Sequence, residues 1–403
     1  MKKIILLGFV LLGVAADSAL ASSLYSRLGI GMMHVRDGVR AQGMGNASLA
    51  LADGLVMYHL NPALLSSVQM ARLQTEFSFE SASVEVATGS GRFRDANFSG
   101  VGLLLPVKRG YAVALGFQPY SRVDFTLNQQ GTSGGEAYEQ IFSGSGGINE
   151  MYIAFAGSIG RPDATRGLRY GLSVDFYFGR IERNWRVNFA NANLAPTDDK
   201  SGAYFRGTGV HGGLHWFHPR WQFGLAVRPP VDLTVETQTD FAFGAKSEQI
   251  RTSVTLPFWL GVGVGYRPSP KWQLATDFRM QRWGGVADNK RFGAAVRDSR
   301  EVGTGVEWIR SNNPVDGYLK RVALRAGFCF RQLPYDDPVG EQVSERMVSA
   351  GLGLPYRRGF SRIDVAVELG KRGNLDNNPA AESIFRLSIS MNGAEPWFVR
   401  GKQ

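Results

Sequence analysis

The chain is nearly devoid of cysteine: Cys329 is the single one in 403 residues. No internal disulfide can form, so an exported chain of this size must rely on a large hydrogen-bonded scaffold. Cys329 has no Cys/His/Asn constellation around it, which argues against a nucleophile. Beyond the N-terminus no apolar run approaches the 18 or so residues of a membrane-spanning helix, and helical spans are excluded. Solenoid repeats, low-complexity tracts and linker-like boundaries are missing too. No Ser-His-Asp order, zinc spacing, paired-carboxylate cleft or Ser/His pair stands out. Gly29-Ile30-Gly31 and Gly43-Met44-Gly45 lack the strand–turn–helix setting of a phosphate loop. The expectation is a protein that is not an enzyme and holds no cofactor and no metal.

Histidine is scarce, five in all, and three of them stand close together in HGGLHWFHP. His211 and His215 share a strand face but lie about 13 Å apart at about 3.3 Å per residue, and His218 falls at a turn with Pro219. One ion cannot join them. His34 and His59, farther upstream, are expected to be packed or hydrogen-bonded.

Charge is not balanced. Lys and Arg number 45 against 35 Asp and Glu, a formal +10. Lys2 and Lys3 head an apolar core, Ile4 to Ala16, that ends on Ala19-Leu20-Ala21, the pattern of a secretory signal peptide over residues 1–21. Its removal takes away Lys2, Lys3 and Asp17 and leaves +9. The arginines are spread singly along the chain, and an exported protein seldom meets nucleic acid. Lipopolysaccharide phosphates are the better-suited anions, and nucleic acid is not an expected partner.

What the chain has in abundance is period-two alternation. Tyr170, Leu172, Val174, Phe176 and Phe178 alternate with Arg169, Gly171, Ser173, Asp175 and Tyr177. Similar runs recur at 271–281, 321–331 and 360–372. Apolar on one face and charged on the other, in segments of about ten residues, is the signature of a transmembrane barrel with a polar interior.

Strands are predicted near 71–80, 97–106, 110–123, 149–160, 167–186, 204–217, 221–235, 252–267, 271–282, 301–310, 320–332, 343–355, 360–371 and 383–392. The connections alternate between short (107–109, 161–166, 218–220, 268–270, 311–319, 356–359) and long (81–96, 124–148, 187–203, 236–251, 283–300, 333–342, 372–382). Short periplasmic turns against long external loops define a single-chain outer-membrane barrel, and an even strand count places both termini in the periplasm. Trp216, Trp221, Trp272 and Trp308 flank short turns and Trp185 and Trp283 the long-loop ends, as two aromatic girdles require.

Two departures from alternation carry site information. Gly261, Gly263 and Gly265 share the inward face of LGVGVGY, as Ser349, Gly351 and Gly353 do in another strand. Such a stripe reads either as close approach by another backbone or as tolerance of a curved wall. Pro119 interrupts the third strand shortly after Gly116, and a proline there needs an edge, a bulge or a kink.

Ahead of the strands, residues 36–66 are rich in small side chains and contain Met44 and Met57. They close on Asn61-Pro62-Ala63, where Asn61 can cap and Pro62 can open a helix. This run, about fourteen strands, and a terminal amphipathic strand Ser383–Met391 followed by Trp397-Phe398 resemble the FadL-type outer-membrane transporters of hydrophobic compounds.

The resemblance implies an all-β fold: a transmembrane antiparallel barrel of about 14 strands (residues 70–403) around a small N-terminal plug, or hatch (22–69), in a Gram-negative outer membrane. It implies passive uptake of hydrophobic molecules such as long-chain fatty acids, gated by the hatch. Met44, Met57, Asn61, Pro62 and Ala63 would be hatch and ligand-contacting residues, and Gly116 and Pro119 would mark a lateral opening at a kinked third strand. A bulge above the membrane would leave the same trace at Pro119. One departure matters: Phe398 is followed by Val399–Gln403, where such barrels often end on an aromatic. That tail suits a related group, the barrel subunits of a Bacteroidetes-type secretion system, which act as platforms for protein partners.

Overall fold

The computed structural model describes residues 23–34, 37–87, 89–160, 165–191, 193–244, 247–286, 296–336 and 341–395. The leader 1–21, Arg36 and the tail from Trp397 onward lie outside the described residues. Fourteen antiparallel strands close into a barrel. They are β1 (Ala71–Val86), β2 (Gly89–Lys108), β3 (Tyr111–Ser133), β4 (Glu136–Ile159), β5 (Gly167–Phe189), β6 (Thr197–Phe217), β7 (Trp221–Arg228 and Val231–Asp240), β8 (Ile250–Leu256 and Trp259–Ser269), β9 (Trp272–Gln281), β10 (Ser299–Ile309), β11 (Ala323–Asp336), β12 (Gln342–Tyr356), β13 (Ser361–Arg372) and β14 (Ala380–Glu395). Closure is by β14 on β1, from Ala380 opposite Val86 to Glu395 opposite Ala71. β7 is interrupted at Pro229-Pro230 and β8 at Pro257, because proline gives the ladder no donor.

The alternation read from the sequence sets the faces. Leu172, Phe178, Leu214, Phe223, Phe278, Val348, Leu352 and Ile389 are among the exposed apolar residues of the outer surface, while Ser173, Asp175, Asp277, Arg279 and Glu368 are buried inside. A closed barrel with an apolar outer band is a membrane-spanning one, and the outer membrane is where such barrels reside. Trp185, Trp216, Trp221 and Trp272 are exposed, and Trp272 faces Trp308 on the neighbouring strand with ring centroids 6.0 Å apart.

Four expectations are corrected. The connections at 81–96 and 124–148 are not loops: β1–β2 and β3–β4 run on as tall hairpins, the second closing on Gly134 and Gly135 with φ +61° and +87°. Positive φ at both central residues matches the strand twist, so the ladder continues to the tip. Trp283 is not a girdle residue but 2% exposed, its indole Nε1 donating to Gln281 Oε1 at 3.1 Å. Arg321 lies in a short helix, Tyr318–Arg321, before β11 begins.

The fourth concerns the N-terminus. β1 starts and β14 ends on the short-turn side, but the described chain begins in the lumen near the opposite end. Ser23 Oγ donates to Glu382 at 2.8 Å and Tyr25 Oη to the Ala380 carbonyl at 2.5 Å. An even number of strands fixes the sides of the first and last strands, not of a segment threaded inside them.

Candidate functional site

Residues 23–34 and 37–67 fill the lumen, and small residues let them do so. In the stretch 38–51 every described side chain is buried. The barrel strands meet it with glycines, so that backbone lies on backbone. A Cβ on Gly224 would stand 1.9 Å from the Leu49 carbonyl oxygen, on Gly303 2.1 Å from that of Gly45, and on Gly327 2.1 Å from the Gly45 nitrogen. Gly261 and Gly263 face Leu49, and Gly265 faces Leu51. Asn61 Oδ1 accepts from the Ala63 nitrogen to cap a 3₁₀ helix, Pro62–Ser67, and Asn61 Nδ2 donates to the Leu49 and Leu214 carbonyls. Pro62 and Ala63 rest on Gly171. Met44, fully buried, packs with Ala47, Leu51 and Ala275.

A buried ion-pair network locks this plug from below. Asp53 lies 2.6 Å from an Arg362 amine and 3.2 Å from Arg40 Nε; Arg40 lies 2.8 Å from Glu307, which Arg325 Nε meets at 2.6 Å. Arg325 and Arg362 share Asp364 at 2.7 and 2.8 Å. Three cations and three anions balance. Burial raises the Asp53 carboxyl, but Arg362 and Arg40 outweigh burial and hold it at about 2. A depressed carboxyl stabilises above its unfolded value and loses that contribution as pH falls through the folded one. Protease protection of residues 38–67 should therefore persist to about pH 4 and fall away towards pH 2, and Asp53→Asn should abolish that step.

The wall parts beside the plug. The β2–β3 ladder runs from Lys108–Tyr111 to Val101–Phe117 and stops there. At about 3.3 Å per residue and a tilt near 45°, Phe117 stands roughly 14 Å above Tyr111, close to mid-membrane. Both strands are irregular at this height. The β1–β2 register shifts around Ser99, and the β3–β4 register shifts between Pro119 and Ser121. Tyr120, the extra residue, turns inward to accept from Arg228 at 3.2 Å. Above this point β3 pairs instead with a plug strand, Met32–Met33, and the His34 nitrogen donates to the Tyr120 carbonyl at 2.9 Å. An ion pair, Arg122 to Asp95 at 3.0 Å, bridges the seam. Pro119 lies at the bulge; Gly116 lies one residue below the parting, where its missing side chain leaves room for the Tyr152 ring. Cavities of about 40 and 30 Å³ follow the seam inward, the first lined by Asn97, Gln118 and Pro119, the second by Met57, His59 and Tyr152.

The second cavity leads to a polar cluster that sequence spacing could not reveal. His59 of the plug meets Glu150 on β4, Asp175 on β5 and His211 on β6. His211 Nδ1 lies 2.6 Å from Asp175 Oδ2 and its Nε2 3.0 Å from the His59 carbonyl. Gln118 Nε2 contacts both His59 Nδ1 (3.1 Å) and Glu150 (2.9 Å), and Tyr177 Oη donates to Glu150 at 2.8 Å. Burial disfavours charge on His59, but Glu150 and Asp175 outweigh it and hold the imidazole above its ordinary pKa. His215 stays apart, at 3.1 Å from the Ala50 carbonyl. Above the cluster the inner wall turns apolar: Val123, Phe125, Ile148, Phe205, Leu233 and Leu256 pack around Ile30 of the plug.

Comparison with known proteins agrees with this architecture. A sequence profile of the family described as BamG matches residues 1–403. The toluene transporter TbuX of Ralstonia pickettii superposes with a TM-score of 0.58 at 14% identity, covering 89% of this chain and 98% of that one. A FadL homologue of Pseudomonas aeruginosa gives 0.57 at 9% identity, over 90% and 98%. The toluene transporter TodX of Pseudomonas putida gives 0.55 at 13%, over 94% and 100%. At these identities the likeness is one of fold. No curated protein sequence matches.

Proposed function

This chain belongs to the BamG family, and from that premise we propose that it is an outer-membrane channel for passive uptake of hydrophobic compounds such as long-chain fatty acids, entering through the β2–β3 seam and gated by the plug. The observation that carries this reading is the end of the β2–β3 ladder at mid-membrane, beside an apolar inner wall. A solute dissolved in the bilayer reaches the seam without crossing water. Phe77, Phe98, Phe117 and Phe178 form a row of rings outside it, with successive centroids 5.6, 6.3 and 6.2 Å apart. The relatives named above as toluene transporters and a FadL homologue support the same direction. Met57, at the seam, is the plug methionine placed to meet the solute; Asn61, Pro62 and Ala63 hold the plug's lower end.

The test is uptake of a labelled long-chain fatty acid by liposomes holding the protein with Asp95→Cys and Arg122→Cys. A reducible bis-thiol linker across the pair should suppress uptake several-fold, and reduction should restore it. Uptake indifferent to the linker would remove the lateral route. Deleting 38–66 should alter the rate if the plug gates it.

A second reading, a non-transporting platform for protein partners, is favoured by the polar character of the two large cavities. One of about 530 Å³ at the short-turn end is lined by Arg40, Asp53, Arg267, Glu307, Arg321 and Arg362, and one of about 620 Å³ at the other end includes Asp124, Arg180, Glu182 and Lys200. No uptake by wild type or plug deletion, with folded barrels on gels and partner proteins co-purifying, would establish this alternative.

A further inference from the structure

We infer that the cavity at the short-turn end of the lumen binds a small organic oxyanion, held by its carboxylate or phosphate group. The site goes beyond the proposed transport and does not depend on it. The argument begins with charge. Seven charged side chains line the cavity: Arg40, Arg267, Lys271, Arg321 and Arg362 are cationic, and only Asp53 and Glu307 are acidic. Both carboxylates are already engaged in the network that locks the plug, Asp53 with Arg362 and Arg40, Glu307 with Arg40 and Arg325. Arg267, Lys271 and Arg321 remain. Among the described residues, none of these three lies within ion-pair distance of a carboxylate. The strongest charge acting on Arg267 is that of Arg40, which repels it; Asp53 and Glu307 each attract it less.

Strand parity gathers these groups. Gly261, Gly263 and Gly265 face the plug, and Arg267 follows them on the same face of β8, its Nη2 donating to the Ala52 carbonyl at 3.4 Å. Gln273 is buried on the adjacent β9, and Lys271 precedes it by two residues, so that both share the inward face. Across β10, Arg321 stands two residues before Ala323, ahead of β11. The connection that carries it folds back beside β10, where the Ser311 nitrogen donates to the Lys320 carbonyl at 2.9 Å.

The unmet side-chain hydrogen bonds of the lining are all donors. Gln273, 8% exposed, accepts from Arg40 at 3.2 Å through Oε1, which fixes its amide and leaves Nε2 buried without a partner. Arg321 Nε and Nη1 are likewise buried and unpartnered. Its guanidinium lies over the Tyr318 ring, Cζ 5.7 Å from the centroid, a contact that leaves the in-plane N–H groups free. Among the described lining residues no side-chain acceptor is orphaned in this way. Water can meet the donors, but it leaves the surplus charge. A carboxylate or phosphate, acceptor-only and negative, answers both. At about 530 Å³ the cavity has room for more than a bare ion, and Leu55, Ile309 and Pro355 offer apolar surface to an organic body.

The proposal is tested by calorimetric titration of the full-length barrel, in uncharged detergent, with inorganic phosphate, glycerol 3-phosphate and benzoate. Benzamide serves as the neutral counterpart of benzoate. Expected is saturable 1:1 binding of at least one anion and none of benzamide. Binding should be at least tenfold weaker in Arg321→Met and in Gln273→Leu, and several-fold weaker in Lys271→Met. Arg180→Met, in the cavity at the opposite end, should bind as wild type. Strongest binding of benzoate assigns the site to carboxylates. Glycerol 3-phosphate ahead of inorganic phosphate assigns it to a lipid headgroup, and the reverse order to free phosphate. Heat modifiability and protease protection of 38–67 check each variant; should Gln273→Leu unseat the plug, Arg321→Met, outside the plug's ion pairs, carries the test alone. Failure of all three anions to bind saturably, benzamide binding as tightly as benzoate, or unchanged binding in Arg321→Met overturns the site.

Discussion

Gly327→Val is expected to leave the barrel closed and unseat the plug. A Cβ at this position would stand 2.1 Å from the Gly45 nitrogen and 2.3 Å from the Met44 carbonyl carbon, and both are backbone atoms that no rotamer change can move. The wall cannot yield either, since Gly327 pairs with Gly305 on one side and Ser349 on the other. Overpacking of this kind costs about 1–3 kcal/mol where the surroundings can shift. Here the plug segment around Gly45, held at φ +64°, has little freedom to shift. Protease should then cut within 38–67 at least tenfold faster than in wild type, while the barrel retains its heat-modifiable mobility. A plug as protected as wild type would show that the glycines answer to wall curvature and not to the close approach.

Glu307→Gln should destabilise the plug nearly as strongly by a different route. Glu307 accepts from Arg40 of the plug at 2.8 Å and from Arg325 of β11 at 2.6 Å, inside a network of three arginines and three carboxylates. Removing one carboxylate strands a positive charge in the lumen, and breaking a buried pair by one partner typically costs about 3–5 kcal/mol. The double change Arg40→Met with Glu307→Leu takes away both charges and should recover most of the loss. Denaturant titration followed by protease protection of the plug measures both. If the double variant were no better than the single one, the cost would lie in packing rather than in charge.

Much of this molecule was legible because a barrel strand is read two residues at a time. The alternation around Tyr170–Phe178 and Lys271–Gln281 marked which faces meet lipid and which meet the lumen, and Pro119 marked the irregular strand. The hairpins above β1–β4 were under-read because their outer ends alternate without a lipid face: Gln129, Gln130 and Glu139 are polar, and polar stretches look like loops in a sequence. Trp283 was misplaced because a strand end bounds both the membrane interface and the lumen, and only the packing around Gln281 turns its ring inward.

The sequence by itself determined the fourteen-strand membrane barrel and the small-residue character of the segment inside it, because each depends on local periodicity or composition. The tertiary structure alone decided what the plug touches. His59 and Asp175 are separated by four whole strands and part of a fifth, and Arg40 and Glu307 by far more, yet closure of β14 on β1 brings each pair into one buried neighbourhood. The parting of β2 from β3 is of the same kind. It depends on which residues are left without a partner, and pairing across strands is a property of the closed barrel that no local run of residues contains.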